Sequence, residues 1–391
     1  MPKISLHSIL QAANRETARL LHGRIYWFCI LIAPVITWIF FLSMMCQGLP
    51  TDLPVALVDL DNSSVSRELA RQLDAFEGTQ IVAHYGDFGE ARKEMQEGKV
   101  YGIFFIPRHF SADATAGKQT VLSFYTNNSY LIAGSLLFKD MKTTATLASG
   151  YVLLKTGLAH GQTEAQIRAK IQPVVIDSNP IGNPWLNYSV YLNNLILPGI
   201  LALLVMCVTV YSIGIEIKEK TVKEWLAAGR FSITGSILGK LIPQTIFFFL
   251  VGLLLFVVLY LGMQFPVNGS LMRMAAALFC LIIASQALGV FMIGCFPTLR
   301  LGLSFACIWG MLSFSIAGFS FPVNAMYPPV QALSNLFPLR HYFLLYVDQA
   351  LNGRDLFYSW THYIALLGFL LLPLLVLRHL KWSLLHVPYQ P

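Results

Sequence analysis

Six stretches of this sequence run for 21 residues or more without Asp, Glu, Lys or Arg: 25–46, 189–215, 241–263, 274–295, 301–321 and 356–377. The hydrocarbon core of a bilayer is about 30 Å thick, and a helix needs roughly 20 apolar residues to cross it. One such run also fits the buried helix of a soluble core, but six in a chain of 391 residues do not. With 55% hydrophobic and only 12% charged residues, the sequence reads as a polytopic α-helical membrane protein with six transmembrane helices.

Charge is partitioned along the chain. Residues 48–188 hold 12 Lys/Arg and 14 Asp/Glu, whereas the remainder holds 15 and 6. The basic excess therefore belongs to the membrane part, and nucleic acid is not an expected partner. Lys and Arg close to spans mark the cytoplasmic side. They cluster before the first run (Lys3, Arg15, Arg19, Arg24), after the second (Lys218, Lys220, Lys223, Arg230, Lys240), after the fourth (Arg300) and after the sixth (Arg378, Lys381). The opposite connections carry only Arg273, Arg340 and Arg354. Both termini are thus expected in the cytoplasm, with 378–391 a cytoplasmic tail.

Residues 1–24 place Ile4, Ile9, Leu10, Ala13, Thr17, Leu20 and Leu21 at helical spacings, with Arg15, Glu16 and Arg19 among them. This predicts an amphipathic helix along the cytoplasmic interface. The first span, 25–46, contains Pro34 as an expected kink. Composition then changes. In 47–188, strand-like runs at 55–60, 80–85, 100–106, 120–125 and 174–177 alternate with helical patterns at 65–76, 86–98, 130–157 and 163–171. The alternation predicts an inserted α/β domain, extracytoplasmic because it follows the first span.

The rest of the membrane part, 189–377, holds five further spans. Polar side chains inside them are costly in lipid and should face protein or a cavity. Asn193 and Asn194 in the second span, Gln286 in the fourth and Ser313 in the fifth are therefore candidates for lining a pathway or for holding helices together. Between the second and third spans lies a charged segment with Glu216, Lys218, Glu219, Lys220, Lys223, Glu224 and Arg230. A short solvent-facing helix at 216–228 fits it, with Val222, Trp225 and Leu226 available to pack. Before the last span, 319–342 is apolar but cut by Pro322, Pro328, Pro329 and Pro338. Two half-helices that dip into the membrane and return suit that pattern, giving a re-entrant helical hairpin at 322–352.

Much chemistry is missing. The Gly-Lys pairs at 117–118 and 239–240 lack the upstream glycine and the following Ser/Thr of a phosphate-binding loop. The nine histidines form no H-E-x-x-H, and no G-x-S-x-G occurs. The six cysteines fall within or at the edges of spans, with neither disulfide nor metal-ligand spacing. No catalytic residue, metal site or cofactor of the chain's own is expected. Charged residues in mid-span are lacking too, which disfavours an ion-driven secondary carrier.

Four segments together resemble the membrane permease subunits of ABC-2-type exporters, in the branch with a large extracytoplasmic domain after the first span. They are VALVDLDNSS at 55–64 followed by SREL at 66–69, YGIFFIPRHF at 101–110, the charged segment 216–225 with 235–243, and the proline-cut hairpin 319–342. The resemblance covers essentially the whole chain. One departure is Lys220, which stands before Thr221 where the family commonly has glycine. The resemblance implies a transport subunit of the bacterial inner membrane that exports a drug-like, lipid or other amphipathic substrate. ATP and Mg would be bound by a separate ABC ATPase subunit, and a second permease copy or a paralogue would complete the transporter among membrane lipids. A periplasmic adaptor protein is an open further partner. Glu216, Glu219, Lys220, Thr221 and Trp225 would form the ATPase-coupling contact, with Trp225 as its anchor. Pro322, Pro328 and Pro338 would shape the exit hairpin. The alternative reading is a non-transporting membrane scaffold or secretion-associated anchor.

Overall fold

The computed structural model describes residues 6–172, 177–179, 182–184 and 186–387. The strand expected at 174–177 falls largely outside them, as do Lys3, Ile4 and the last residues of the tail. The described chain divides into two compact units, one made of 1–46 with 180–391 and the other of 47–179.

The first unit begins with α1 (Leu6–His22) and α2 (Arg24–Met44). Gly23 joins them at a tight corner, where a Cβ would lie 2.6 Å from the Tyr26 ring and 2.8 Å from the Arg19 carbonyl. A π-helical turn at Phe28–Ile32 precedes Pro34, whose missing N–H leaves the helix ladder free to widen there.

The second unit alternates strands and helices: β1 (Leu53–Asp59), α3 (Ser64–Asp74), β2 (Thr79–His84), α4 (Phe88–Gln96), β3 (Gly102–Ile106), α5 (Phe110–Thr115), β4 (Ser123–Thr126), α6 (Leu131–Ala159) and α7 (Glu164–Ile171). Strand order is β2-β1-β3-β4, with β1 parallel to β2 and β3, and β4 antiparallel to β3. The central strand β1 carries a run of buried residues, Val55 to Val58, because helices cover both of its faces. Ser63 and Ser66 cap α3 reciprocally, which sets where that helix starts.

The remaining helices of the first unit are α8 (Tyr188–Lys218), α9 (Val222–Ala228), α10 (Ile233–Gly262), α11 (Leu271–Cys295), α12 (Leu299–Ile316), α13 (Pro328–Ser334), α14 (Pro338–Tyr346) and α15 (Leu356–His386). Among the described residues six helices, α2, α8, α10, α11, α12 and α15, are long and apolar enough to cross a membrane, and the protein is a multi-pass membrane protein. They are not equivalent. In their most apolar windows α8 and α11 are 67% and 72% buried, whereas α12 and α15 are 22% buried, so α8 and α11 form the centre of the bundle. Gly289 of α11 makes that contact close, since a Cβ there would lie 3.0 Å from the Met206 carbonyl of α8.

The polar residues of the spans are absorbed by this packing. Asn194 accepts a hydrogen bond from the Tyr260 hydroxyl at 3.0 Å, and Asn193 donates to Ser189 at 2.9 Å. Gln286 accepts from Thr245 at 2.7 Å, and Ser313 donates to the Gly310 carbonyl at 2.5 Å. All four are buried; Asn194 and Gln286 bond to a neighbouring helix, whereas the bonds of Asn193 and Ser313 stay within their own helix and Asn193 Oδ1 has no partner among the described residues. Before the last span, Pro322 precedes a 3-10 turn at Val323–Ala325, and Pro328 and Pro338 each open a short helix as its first residue. Both Tyr342 and Tyr346 of α14 are buried in the core that α8 and α11 share.

Candidate functional site

The charged segment after α8 is organised differently from a free-standing helix at 216–228. The second apolar helix does not stop at its first charge. It continues to Lys218 with Glu216 on its buried face. A turn follows, and only Val222–Ala228 forms the separate short helix α9. Charge counting ends a span at Glu216, but a carboxylate paired within the protein does not end a helix.

Glu216 is fully buried and its carboxylate is saturated. Arg15 of α1 grips it with two guanidinium nitrogens at 2.6 and 3.0 Å, and Arg19 donates to it at 2.5 Å. Lys240 of α10 donates to it at 3.0 Å, and the Thr221 hydroxyl donates as well. Lys240, itself 1% exposed, also donates to Glu16 of α1 at 2.6 Å, and Gln244, one turn further along α10, donates to the other oxygen of Glu16 at 2.9 Å. Arg19 extends the network outward to Glu219 at 2.7 Å. Three cations thus meet three carboxylates, and a net-neutral cluster is what a buried site requires. The hydrogen bond from Arg15 to Glu216 holds that guanidinium's proton more tightly than in solution.

Helix α1 reaches this site because its buried stripe is Ser8, Ala12, Glu16 and Leu20, spaced four residues apart. The larger apolar residues Leu6, Leu10 and Leu21 are exposed on the protein. The small residues face α10 instead. At Gly239 a Cβ would lie 2.5 Å from the Ala12 Cβ and 2.7 Å from the Ile9 carbonyl, so only glycine permits this approach.

Trp225 is buried, contrary to its expected role as an anchor offered to another protein. Its indole N–H donates to the Ser236 carbonyl at 3.2 Å, and its ring lies 5.1 Å from the Lys240 ammonium, a cation–π contact. It locks α9 onto the start of α10. What the segment leaves exposed is Lys218, Glu219, Lys220, Lys223, Glu224, Arg230 and the ring of Phe231. Of the five expected coupling residues, then, Glu219 and Lys220 are at the surface, Thr221 is half-buried against Glu216, and Glu216 and Trp225 are internal.

Lys220 has φ +60°, the left-handed region that favours glycine. Its N–H bonds the Ile217 carbonyl and the Thr221 N–H bonds the Glu216 carbonyl, the two hydrogen bonds of a Schellman cap on α8. Glycine is the ordinary occupant of that position, the residue that the resemblance leads one to expect before Thr221. Here a lysine takes the same conformation and puts a cation at the negative end of the helix dipole.

Arg15, Glu16, Arg19 and Lys240 are the functional-site residues that reading the sequence did not assign. A signal was available: Glu16 stands in register with Ser8, Ala12 and Leu20, and Lys240 and Gln244 are spaced four apart in an otherwise apolar helix. Among the described residues no group of His, Cys, Asp and Glu is arranged to hold a metal.

Comparison with protein families matches residues 24–377 to the family described as ABC-2 family transporter protein. Helix α1, which supplies three residues of the ionic cluster, precedes the matched region. A comparison with curated proteins finds no match.

Proposed function

Because this chain belongs to the ABC-2 transporter family, we propose that it is the membrane-spanning subunit of an ATP-driven exporter that moves an amphipathic substrate outward. Permeases of this family work with an ABC ATPase partner, and this chain contributes no phosphate-binding loop of its own. In the bacterial inner membrane both termini and the 219–232 segment face the cytoplasm, and the 47–179 unit faces the other side. The ATPase docks on the exposed rim of Lys218, Glu219, Lys220, Lys223 and Glu224. Two copies of the chain, or the chain and a paralogue, complete the transporter, and the helices at 322–352 form a re-entrant hairpin at the exit.

The observation that carries this reading is the buried ionic cluster directly beneath that rim. A docking surface on a loose loop would absorb a push. Here the rim is fastened to three helices at once, α1 through Arg15, Glu16 and Arg19, α8 through Glu216, and α10 through Lys240. Force applied at α9 must therefore move α8, one of the two central helices, together with α10. Charge reversal at Lys220 and Lys223, both exposed, tests the docking surface. The expected result is loss of ATPase co-purification with the chain still folded. Undiminished co-purification and ATP turnover would count against it.

A further inference from the structure

At the end of the bundle away from the ionic cluster the described residues include three arginines, Arg273 in the first turn of α11 and Arg340 and Arg354 between α12 and α15, and two of them are engaged. Arg354 pairs with Asp348 at 3.1 Å. Arg273 donates to Gln349 and to the Arg354 carbonyl, each at 3.3 Å. Arg340, on the first turn of α14, is different. Its Nε is buried without a partner, and among the described residues no side chain or carbonyl accepts from its guanidinium. Its Nη1 lies 3.5 Å from where a Cβ at Gly318 would stand, and the residue as a whole is partly exposed, so a ligand can reach it.

The next residue adds a second unmet group. His341 is 7% exposed. Its Nε2 donates to the Asn335 carbonyl at 3.0 Å, which in the neutral ring leaves Nδ1 as an acceptor, and Nδ1 has no partner. The His362 ring of α15 lies 6.0 Å from it, centroid to centroid. The nearby Asp348 is already taken by Arg354 and by the Ser359 hydroxyl at 3.2 Å. An unpaired cation and, at the next helix position, an empty buried acceptor are both costly to leave unmet, and such groups mark candidate ligand sites. The surroundings are apolar: Phe337 stacks on Trp309 at 4.7 Å, and Phe321, Tyr327, Leu333 and Leu336 of the same hairpin are exposed.

We propose that Arg340 and His341 form a headgroup site for an anionic amphipath, whose phosphate binds the Arg340 guanidinium and whose adjacent hydroxyl donates to His341 Nδ1. The apolar hairpin residues take the start of its acyl chains. This rests on the export reading above and names the substrate class for it.

The test uses the full chain purified in a neutral detergent, with retention of dioleoylphosphatidylglycerol and dioleoylphosphatidylcholine measured by native mass spectrometry. Phosphatidylglycerol should be retained preferentially. Arg340→Gln should lower its retention about tenfold, and Arg340→Lys should recover part of it. Equal retention of the two lipids, or no effect of Arg340→Gln in protein that remains monodisperse, overturns the proposal. So does saturable binding of inorganic phosphate as tight as that of the lipid, which would make the ligand a free anion. Co-purification of the ATPase is followed in the same samples. It should survive Arg340→Gln, so that a failure of this site is distinguished from a failure of the export reading.

Discussion

Replacing Lys240 by Met removes the one cation that Glu16 touches. Lys240 Nζ lies 2.6 Å from Glu16 and 3.0 Å from Glu216, and all three side chains are 1% exposed or less. Glu216 keeps Arg15 and Arg19, but Glu16 is left with only the Gln244 amide. Breaking one partner out of a buried pair costs about 3–5 kcal/mol, because the other charge stays buried and uncompensated. Loss of the contact with the Trp225 ring adds about 1 kcal/mol. Glu16→Gln should be milder, about 1–2 kcal/mol, because Lys240 still reaches Glu216. In the double variant no lone charge remains, so its cost should fall about 2–3 kcal/mol below the sum of the singles. Unfolding in mixed micelles, followed by circular dichroism, measures all four corners of the cycle. The Lys240→Met deficit should persist in high salt, since a buried pair is screened little. A single-variant cost below about 1 kcal/mol, or additivity within about 0.5 kcal/mol, would show that Lys240 and Glu16 are not a coupled buried pair.

Three further outcomes follow from local geometry. Lys220→Gly should stabilise the chain by about 1 kcal/mol, because φ at that position is +60°; a loss of stability in the same micelle assay would contradict the cap described for α8. Gly239→Ala should cost about 1–3 kcal/mol and loosen α1, since the added Cβ meets backbone at 2.7 Å; faster proteolysis at Arg15 and Arg19 reports it. In the 47–179 unit, burial raises the Asp140 carboxyl above its ordinary value, against the opposing hydrogen bond from Thr79. A raised folded-state value means that the contribution of this group is present at low pH and lost as pH rises through it. Asp140→Asn should therefore flatten the pH dependence of thermal unfolding just above the ordinary carboxylate range and leave the acid end unchanged.

The six spans were legible because length without charge is a strong signal, and the strands of the 47–179 unit because β1 reads as a continuous apolar run. The helix Phe110–Thr115 was not, being short and lying inside what reads as a strand exit. The ionic cluster was legible only in halves. Its residues are distant in the chain, Glu16 and Lys240 being 224 positions apart, and each half has a plausible surface reading of its own. Arg15, Glu16 and Arg19 look like the wet face of an interfacial helix, and Glu216 and Lys240 look like the flanks of a solvated loop. Only their mutual pairing moves them inside, and pairing is a property of the packed bundle. Trp225 misled for a related reason, because an indole in a charged segment suits a partner's pocket as well as its own core. The missing glycine at 220 is the converse case: the backbone geometry that glycine serves is kept even though the residue is not.

The most direct test of the central claim is photo-crosslinking from single positions of the full chain in native membranes, with a benzophenone amino acid placed at Lys223, at Glu224, or at Leu333 as a control. Lys223 and Glu224 are exposed beside the ionic cluster, and Leu333 is exposed on the helix that Pro328 opens. Crosslinks from Lys223 and Glu224 to an ATPase subunit are expected, altered when ATP is added, and none from Leu333. Crosslinking of the ATPase from Leu333, or its absence at both Lys223 and Glu224 in a membrane that holds the assembled transporter, would contradict the central claim.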